Sequence, residues 1–411
     1  MSETAASPDQ LDPQPPLAGI RVLDVSSFIA APAAAVTLGD WGADVIKVEP
    51  PGAGDPHRIS WQSPNYPRAA VNFPWQLDAR NKRSIALDLK SDDGRAVLDR
   101  LIESADVMIV NFPRRPRERL RLRWEDVRHV NPRLIYASLT GYGETGPEAD
   151  TPGFDNNAFF ARSGILDALR YEGQPPSFSL PAQGDRCTAM TLVAAIMMAL
   201  YRRQQTGKGG WVGTSLYANG VWSTGTLAAG AVLGAFVTQR PMRDRPRNAL
   251  TNQYVARDGR WFTMLIRDEK RWDSFCTAIG RDDLKDDPRF LTTPDRRANA
   301  ADLVVELDRT FAQQDWPYWR ERFIEIGAAA APINNIADVA TDEQAIHAGI
   351  VIDTEAPGIP KSIATPLRFG FARPRQAGRA PELGEHTAEI LKEAGYDDTA
   401  IAEMKTKGAV A

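Results

Sequence analysis

Ile20-Arg21-Val22-Leu23-Asp24-Val25, then a run of small residues from Pro32 to Trp41, then Asp44-Val45-Ile46-Lys47-Val48, read as strand, helix and strand. The two outer runs are short and rich in β-branched residues, which suits strands. The stretch between them is long enough for a crossover helix, so the unit predicts a parallel pair. The alternation continues. Ser84–Leu89 reads as a strand, Asp92–Glu103 as a helix, and Asp106–Val110 and Leu134–Leu139 as further strands. The expected fold class is α/β, with a Rossmann-like open parallel sheet in a large domain. The glycine fingerprint of dinucleotide sites is missing. The first strand leads into Ser26-Ser27-Phe28-Ile29-Ala30-Ala31-Pro32, which argues against NAD or FAD.

Further along, Arg186–Gln204 is predicted to be helical and, being apolar on nearly all sides from Met190 to Leu200, buried all round. Thr206-Gly207-Lys208-Gly209-Gly210 supplies its stop. The composition shifts after Val237, and Gln239–Arg247, basic and proline-containing, reads as a linker. Tyr254–Phe262 reads as a hairpin with an Asp-Gly turn, followed by helices near Arg271–Gly280, Asp295–Gln313 and Trp316–Ile326. These make a smaller α+β domain. The expected division is a disordered tail over 1–16, a large Rossmann-like domain over 17–237, a small domain over 248–335 and a C-terminal segment over 336–411. That last segment carries a polar helix near Thr387–Ala394. No internal repeat is visible.

The formal net charge of -4, with 43% hydrophobic and 25% charged residues among 411, describes a water-soluble globular protein with no bulk attraction for nucleic acid or a membrane. No apolar run is long enough to span a bilayer, and the start of the chain lacks a signal-peptide pattern, so a cytoplasmic protein is expected. Two cysteines, Cys187 and Cys276, are too few for a disulfide scaffold. His57, His129, His347 and His386 are scattered, so no metal is expected.

Asp185 follows Gly184 at the start of the long helix. Two readings share that position. It is an ordinary helix cap, accepting backbone N–H groups, or it is a nucleophile held there by the same amides. Asp155, in Pro152-Gly153-Phe154-Asp155-Asn156-Asn157, is either a turn residue or a substrate-facing carboxylate acting as a general acid. Lys82, Arg83, Lys90 and Arg119 are candidate phosphate ligands that could equally be solvated charges. Cys187, with no histidine nearby in sequence, is expected to be a buried structural thiol. Phe159-Phe160 is either core or part of an acyl pocket.

The ordered set of short motifs resembles the family III CoA transferases, a group that includes formyl-CoA transferase and the carnitine and bile-acid CoA transferases. The motifs include Leu17-Ala18-Gly19-Ile20-Arg21-Val22-Leu23-Asp24, Gly42-Ala43-Asp44-Val45-Ile46-Lys47-Val48-Glu49 and Asn81-Lys82-Arg83-Ser84-Ile85. Ala105-Asp106-Val107, Asn111-Phe112, Asn131-Pro132-Arg133-Leu134-Ile135, Thr140-Gly141-Tyr142-Gly143, Thr206-Gly207-Lys208-Gly209 and Leu383-Gly384-Glu385-His386-Thr387 complete the set. The resemblance runs from about Leu17 to Gly408. It implies that Asp185 attacks an acyl-CoA thioester and forms an acyl-aspartyl anhydride, followed by an aspartyl-CoA thioester. No cofactor beyond coenzyme A as substrate is implied. It also implies that the large domain binds CoA. Phe28, Ile29 and Ala30 would line that site, with Leu87, Lys90, Asn111, Phe112 and Arg119. Phe154, Asp155 and Ile29 fall near the acyl group. An interlocked homodimer is implied too.

The sequence departs from the family pattern at three places. Pro50 stands where a basic residue often follows the second strand. Ile29 replaces a glutamine that faces the acyl group in formyl-CoA transferase, so oxalate and formate are not the expected substrates. No glycine-rich loop lies between Gln239 and Tyr254. A racemase branch shares the resemblance, but it needs a histidine directly before the position of Asp155. Here that residue is Phe154, which cannot exchange a proton. A catalytically silent CoA-binding subunit is the alternative from another class.

Overall fold

The computed structural model describes residue 12, residues 14–266 and residues 271–411. Most of the predicted N-terminal tail therefore lies outside the described residues. Asp12 itself is tied down, its N–H donating to the Phe371 carbonyl at 2.8 Å. The chain forms two compact units. The larger runs as far as Asp167 and then takes Ser177–Val237 and His347–Ala411, while the smaller takes Ala168–Pro176 and Thr238–Ile346.

The larger unit is built on a six-stranded sheet in the order β3-β2-β1-β4-β5-β6. The strands are β1 (Arg21–Val25), β2 (Asp44–Glu49), β3 (Lys82–Ala86), β4 (Val107–Val110), β5 (Ile135–Thr140) and β6 (Gly210–Ser215). Every pairing is parallel, with Val22 opposite both Val45 and Val107. This is the doubly wound order, with its direction of winding reversing between β1 and β4. The β-branched runs of β1, β2 and β4 are buried almost throughout, as strands covered on both faces require.

Sequence reasoning missed β6. Its Gly210 and Gly213 have low strand propensity. Tertiary packing overrides that: Gly209 passes so close to the Leu134 carbonyl that a Cβ would lie 2.1 Å from it. Trp211 Nε1 also donates to Ser138 Oγ of β5 at 3.0 Å.

One sheet face is covered by the helices Ala30–Asp40 and Gln183–Thr206, the other by Asp92–Ser104, Thr387–Glu393 and Asp398–Thr406. The helix at Asp92 starts as its sequence dictates, with Ser91 Oγ accepting the Gly94 N–H at 3.0 Å. The Leu383–Thr387 motif returns the chain to the β3 edge. There Thr387 Oγ1 accepts the Ala86 N–H at 3.1 Å and Gly384, at φ 68°, donates to Ser84 Oγ.

The long helix Gln183–Thr206 corrects one expectation. Thr188, Ala189, Leu192, Val193, Ile196, Ala199 and Leu200 are buried at helical spacing, but Met197, Met198 and Tyr201 are exposed, Met198 by 72%. Apolar composition on all sides did not distinguish the face packed within one chain from the face left outside it. Cys187, predicted buried, lies on the exposed side.

The smaller unit holds an antiparallel sheet of β7 (Thr251–Val255), β8 (Trp261–Leu265) and β9 (Ala329–Pro332), packed by helices over an aromatic core that includes Phe262, Phe311 and Phe323. The predicted hairpin turns at Gly259, which takes φ 77°. The predicted helix over Asp295–Gln313 is two helices, Thr293–Ala298 and Ala300–Phe311, parted at Asn299. A further two-stranded antiparallel pair, β10 (Val351–Asp353) and β11 (Lys361–Ile363), belongs to the larger unit. Among the described residues no helix is long and apolar enough to cross a membrane.

Candidate active site

The loops that follow β1 and β4 meet where the sheet reverses its winding. Ser27 N–H donates to Asn111 Oδ1 at 2.9 Å, and Asn111 Nδ2 donates back to the Ser27 carbonyl at 2.7 Å. In a doubly wound sheet this is the crevice in which ligands sit. Phe28, next along, takes a left-handed φ of 64°, unusual for a bulky residue. Its N–H is held by Asp55 Oδ1 at 3.0 Å, and Asp55 is itself anchored by buried Lys47 at 2.8 Å. Lys47 also donates to the Ser26 carbonyl at 2.5 Å. The bend that presents Phe28 is thus imposed from below by a buried charge pair.

Two of the candidate phosphate ligands are already paired, Lys82 within this foundation and Arg83 apart from it. Lys82 is fully buried and pairs with Asp24 at 2.8 Å, and Arg83 pairs with Asp44, Glu389 and Glu393. Neither is available to a phosphate. Lys90 and Arg119 are exposed. Arg121 reaches Asp92 at 3.7 Å, which brings the segment around Arg119 to the segment around Lys90.

Asp185 is the third residue of the long helix and is mostly buried. It does not cap that helix. The carboxylate at the helix start is that of Asp155, whose Oδ1 accepts the Asp185 N–H at 3.1 Å and is faced by the amides of Gly184, Gln183 and Ala182. Asp155 opens a π-helical turn, Asp155–Ala161, rather than a plain loop. Such turns are rare and concentrate at functional sites. Gly184 makes the approach possible, since a Cβ there would lie 2.4 Å from Asp155 Oδ1 and 2.3 Å from the Phe159 ring.

The electrostatics follow from this arrangement. Burial pushes the Asp185 carboxyl up to about 7, the nearby charges of Asp155 and Asp78 add to the push, and Arg186 opposes it. Burial raises Asp155 to about 6 against the pull of the four amides. Sequence reasoning passed over the rest of the surround. Asp78 accepts two bonds from Arg186, at 2.8 and 3.1 Å, and contacts His57 Nε2 at 3.1 Å. His57 Nδ1 lies 2.7 Å from Ser60 Oγ. Burial and the charges of Asp78 and Asp185 raise the Tyr66 hydroxyl, which bonds to Ser60. The only signal in the sequence was Arg186, adjacent to Asp185. The partners on segments 57–66 and 73–79 are distant in the chain.

Phe154 packs edge to face on Phe28, with ring centroids 5.7 Å apart, although the two are 58% and 40% exposed. The Phe154 N–H is fixed by Asn157 Oδ1 at 2.6 Å. A continuous path of contacts thus joins the loop after β1 to Phe154, Asp155 and Asp185. Other candidates are not brought to it by their side chains. Ile29 is buried, Ala30 and Leu87 belong to the two core clusters of the larger unit, and Phe112 packs at the edge of the second. Phe159 and Phe160 are core, resolving the two readings of that pair. Among the described residues no three His, Cys, Asp or Glu side chains gather as a metal site.

The family described as CoA-transferase family III matches residues 17–387. The chain is 31% identical over 396 residues to the (R)-2-hydroxy-4-methylpentanoate CoA-transferase of Clostridioides difficile, covering 95% of this chain and 98% of that one. It is 32% identical over 395 residues to the cinnamoyl-CoA:phenyllactate CoA-transferase of Clostridium sporogenes, covering 94% and 95%. Among solved structures, a CAIB/BAIF family protein from Brucella suis superposes with a TM-score of 0.82 at 32% identity, covering 93% of this chain and 100% of that one.

Proposed function

The chain belongs to CoA-transferase family III, and from that membership we propose that it moves CoA from an acyl-CoA to a carboxylic acid with Asp185 as the nucleophile. A carboxylate oxygen of Asp185 attacks the thioester carbonyl, and the C–S bond breaks to release CoA thiolate. The acyl-aspartyl anhydride that remains is attacked by the thiolate at the aspartyl carbonyl, giving an aspartyl-CoA thioester and the first free acid. The second acid displaces CoA to form a new anhydride. Attack of thiolate on its acyl carbon then yields the new acyl-CoA and regenerates Asp185. Each step is an acyl transfer between good leaving groups, in place of one direct exchange.

The observation that carries this reading is the placement of Asp185. It stands in the first turn of a helix, mostly buried, with its carboxylate not consumed by capping. Phe28 and Asn111 lie at the winding reversal, where ligands of doubly wound sheets sit, and exposed Lys90 and Arg119 are suited to the nucleotide phosphates. The exposed Phe28–Phe154 pair offers an apolar wall to the acyl group. That supports an acyl chain larger or less polar than oxalyl, and it fits the branched and aromatic acids in the names of the two relatives. A homodimer is part of the proposal.

The test is mass spectrometry of the purified protein after incubation with branched and aromatic acyl-CoAs. A hydroxylamine-sensitive acyl or CoA adduct on Asp185, and CoA exchange when a free acid is added, are expected. An adduct on another residue, or none across the panel, would sink the assignment.

A further inference from the structure

We infer that Asp155 is a positioning residue for Asp185: it takes the amides at the start of the long helix, leaving the Asp185 carboxylate unbonded beside a second negative charge and therefore strongly nucleophilic. The inference rests on Asp185 being the nucleophile. An aspartate in the first turn of a helix normally gains backbone hydrogen bonds and loses reactivity by them. Here those bonds go to Asp155, and among the described residues the Asp185 carboxylate accepts none.

Three backbone features are arranged to the same end. Ala182, just before the helix, holds a left-handed φ of 60° and ψ of 13°, a conformation disfavoured for a residue with a Cβ. The π-helical turn Asp155–Ala161 carries the carboxylate in. Gly184 removes the Cβ that would block it. Nor is Asp155 placed to touch a substrate. Its Oδ1 faces the amides, and its Oδ2 is buried with no hydrogen-bond partner.

The charges that face Asp185 are few. Asp155 comes from the π-helical turn and Asp78 from the helix Phe73–Ala79, with His57 behind it. Arg186 comes from the same helix as Asp185, and the Tyr66 hydroxyl approaches from the segment after Ser60. Among the described residues Arg186 is the only cation that opposes the rise, and Asp78 already holds it in two bonds. The charge of Asp155 is therefore not cancelled locally.

The experiment is a carboxyl carbon NMR titration of the full-length protein labelled at aspartate Cγ. Asp185→Asn identifies the Asp185 resonance, and Asp155→Asn is the variant of interest. The amide oxygen that this substitution introduces keeps an acceptor for the helix while removing the charge. The Asp185 midpoint is expected to fall by roughly one pH unit in Asp155→Asn. The acid limb of adduct formation from cinnamoyl-CoA should move with it. An unchanged midpoint in folded Asp155→Asn would make Asp155 a cap and nothing more. Should that variant not fold, Gly184→Ala displaces the Asp155 carboxylate with both charges retained. Its Asp185 midpoint is expected to fall also, and a midpoint equal to wild type overturns the inference. The titration needs no substrate, so it stands or falls separately from the nucleophile assignment, which the wild-type adduct tests.

Discussion

Asp185 combines two properties that rarely coincide in one carboxylate: the first turn of a helix favours its charge, and its surroundings oppose it. Its folded pKa is raised to about 7 by burial and by Asp155 and Asp78. The stability linked to it is thus fully present below the unfolded carboxyl pKa and is lost as pH rises through about 7. Asp185→Asn should therefore abolish transfer, to below about a thousandth of wild type. The same variant should be more stable than wild type at pH 8, by an amount on the order of 2 kcal/mol, and unfold at a higher temperature. At pH 4 the gain should vanish. Calorimetry at the two pH values checks this, and equal differences at both would refute the charge argument. Phe154 makes a second prediction at this scale. A racemase needs a base on each face of the α-carbon, and a phenyl ring is not one. Acyl-CoA incubated with the protein in heavy water should gain no α-deuterium while CoA passes to an added acid. Rapid deuteration without an acceptor would instead point to the racemase branch.

At the level of elements, the junction between the π-helical turn and the long helix is the tightest part of the site. A methyl at Gly184 would meet the Phe159 ring and the Asp155 carboxylate at 2.3 and 2.4 Å, and the ring is locked in the core. Gly184→Ala should cost roughly 1–3 kcal/mol, read as a lower urea midpoint with an unchanged slope. A midpoint within error of wild type would mean that the helix start is looser than its geometry. The segment around Lys90 and the helix Arg114–Arg119 are separate elements tied by Arg95, whose guanidinium donates to the Leu120 and Arg121 carbonyls. If they form the phosphate end of the CoA site, Lys90→Ala and Arg119→Ala should each weaken CoA binding several-fold, and raising salt should shrink the difference. Calorimetric titration with CoA showing neither change would return both residues to the solvated surface.

For the molecule as a whole, the surface is the notable feature. Trp222, Val232, Leu233 and Phe236 stand exposed, Trp222 by 84% and Phe236 by 90%, and Met197, Met198 and Tyr201 line the outer side of the long helix. A monomer rarely leaves so many large apolar side chains in water. Light scattering of the purified protein should give twice the chain mass of 45.2 kDa, independent of salt. Replacing Trp222 and Phe236 together by serine should shift the population toward monomer. A wild-type monomer at micromolar concentration would remove the homodimer from the proposal.

How much of this was legible in the chain differs by feature. The parallel sheet could be read from β1 and β2 because two short runs rich in β-branched residues flank a stretch long enough for a crossover helix, and that pattern is local. The strand β6 could not, since Gly213, and Gly209 just before the strand, answer to the close passage of Ser138 and Leu134, which are far away in the chain. Asp185 was identifiable as a residue of interest from its position after a glycine at a helix start. What its carboxylate does was not, because a cap and a nucleophile occupy the same place in a sequence. The approach of Asp155 across thirty residues takes the cap away from Asp185, and the nucleophile is the reading proposed for the carboxylate left over. Lys82 shows the same division from the other side. Its charge is plain in the sequence, but only burial against Asp24 turns a candidate phosphate ligand into part of the foundation. Periodicity and composition act between near neighbours and determine the elements. Electrostatics and desolvation act through space, and for this protein they were decided only when the elements came together.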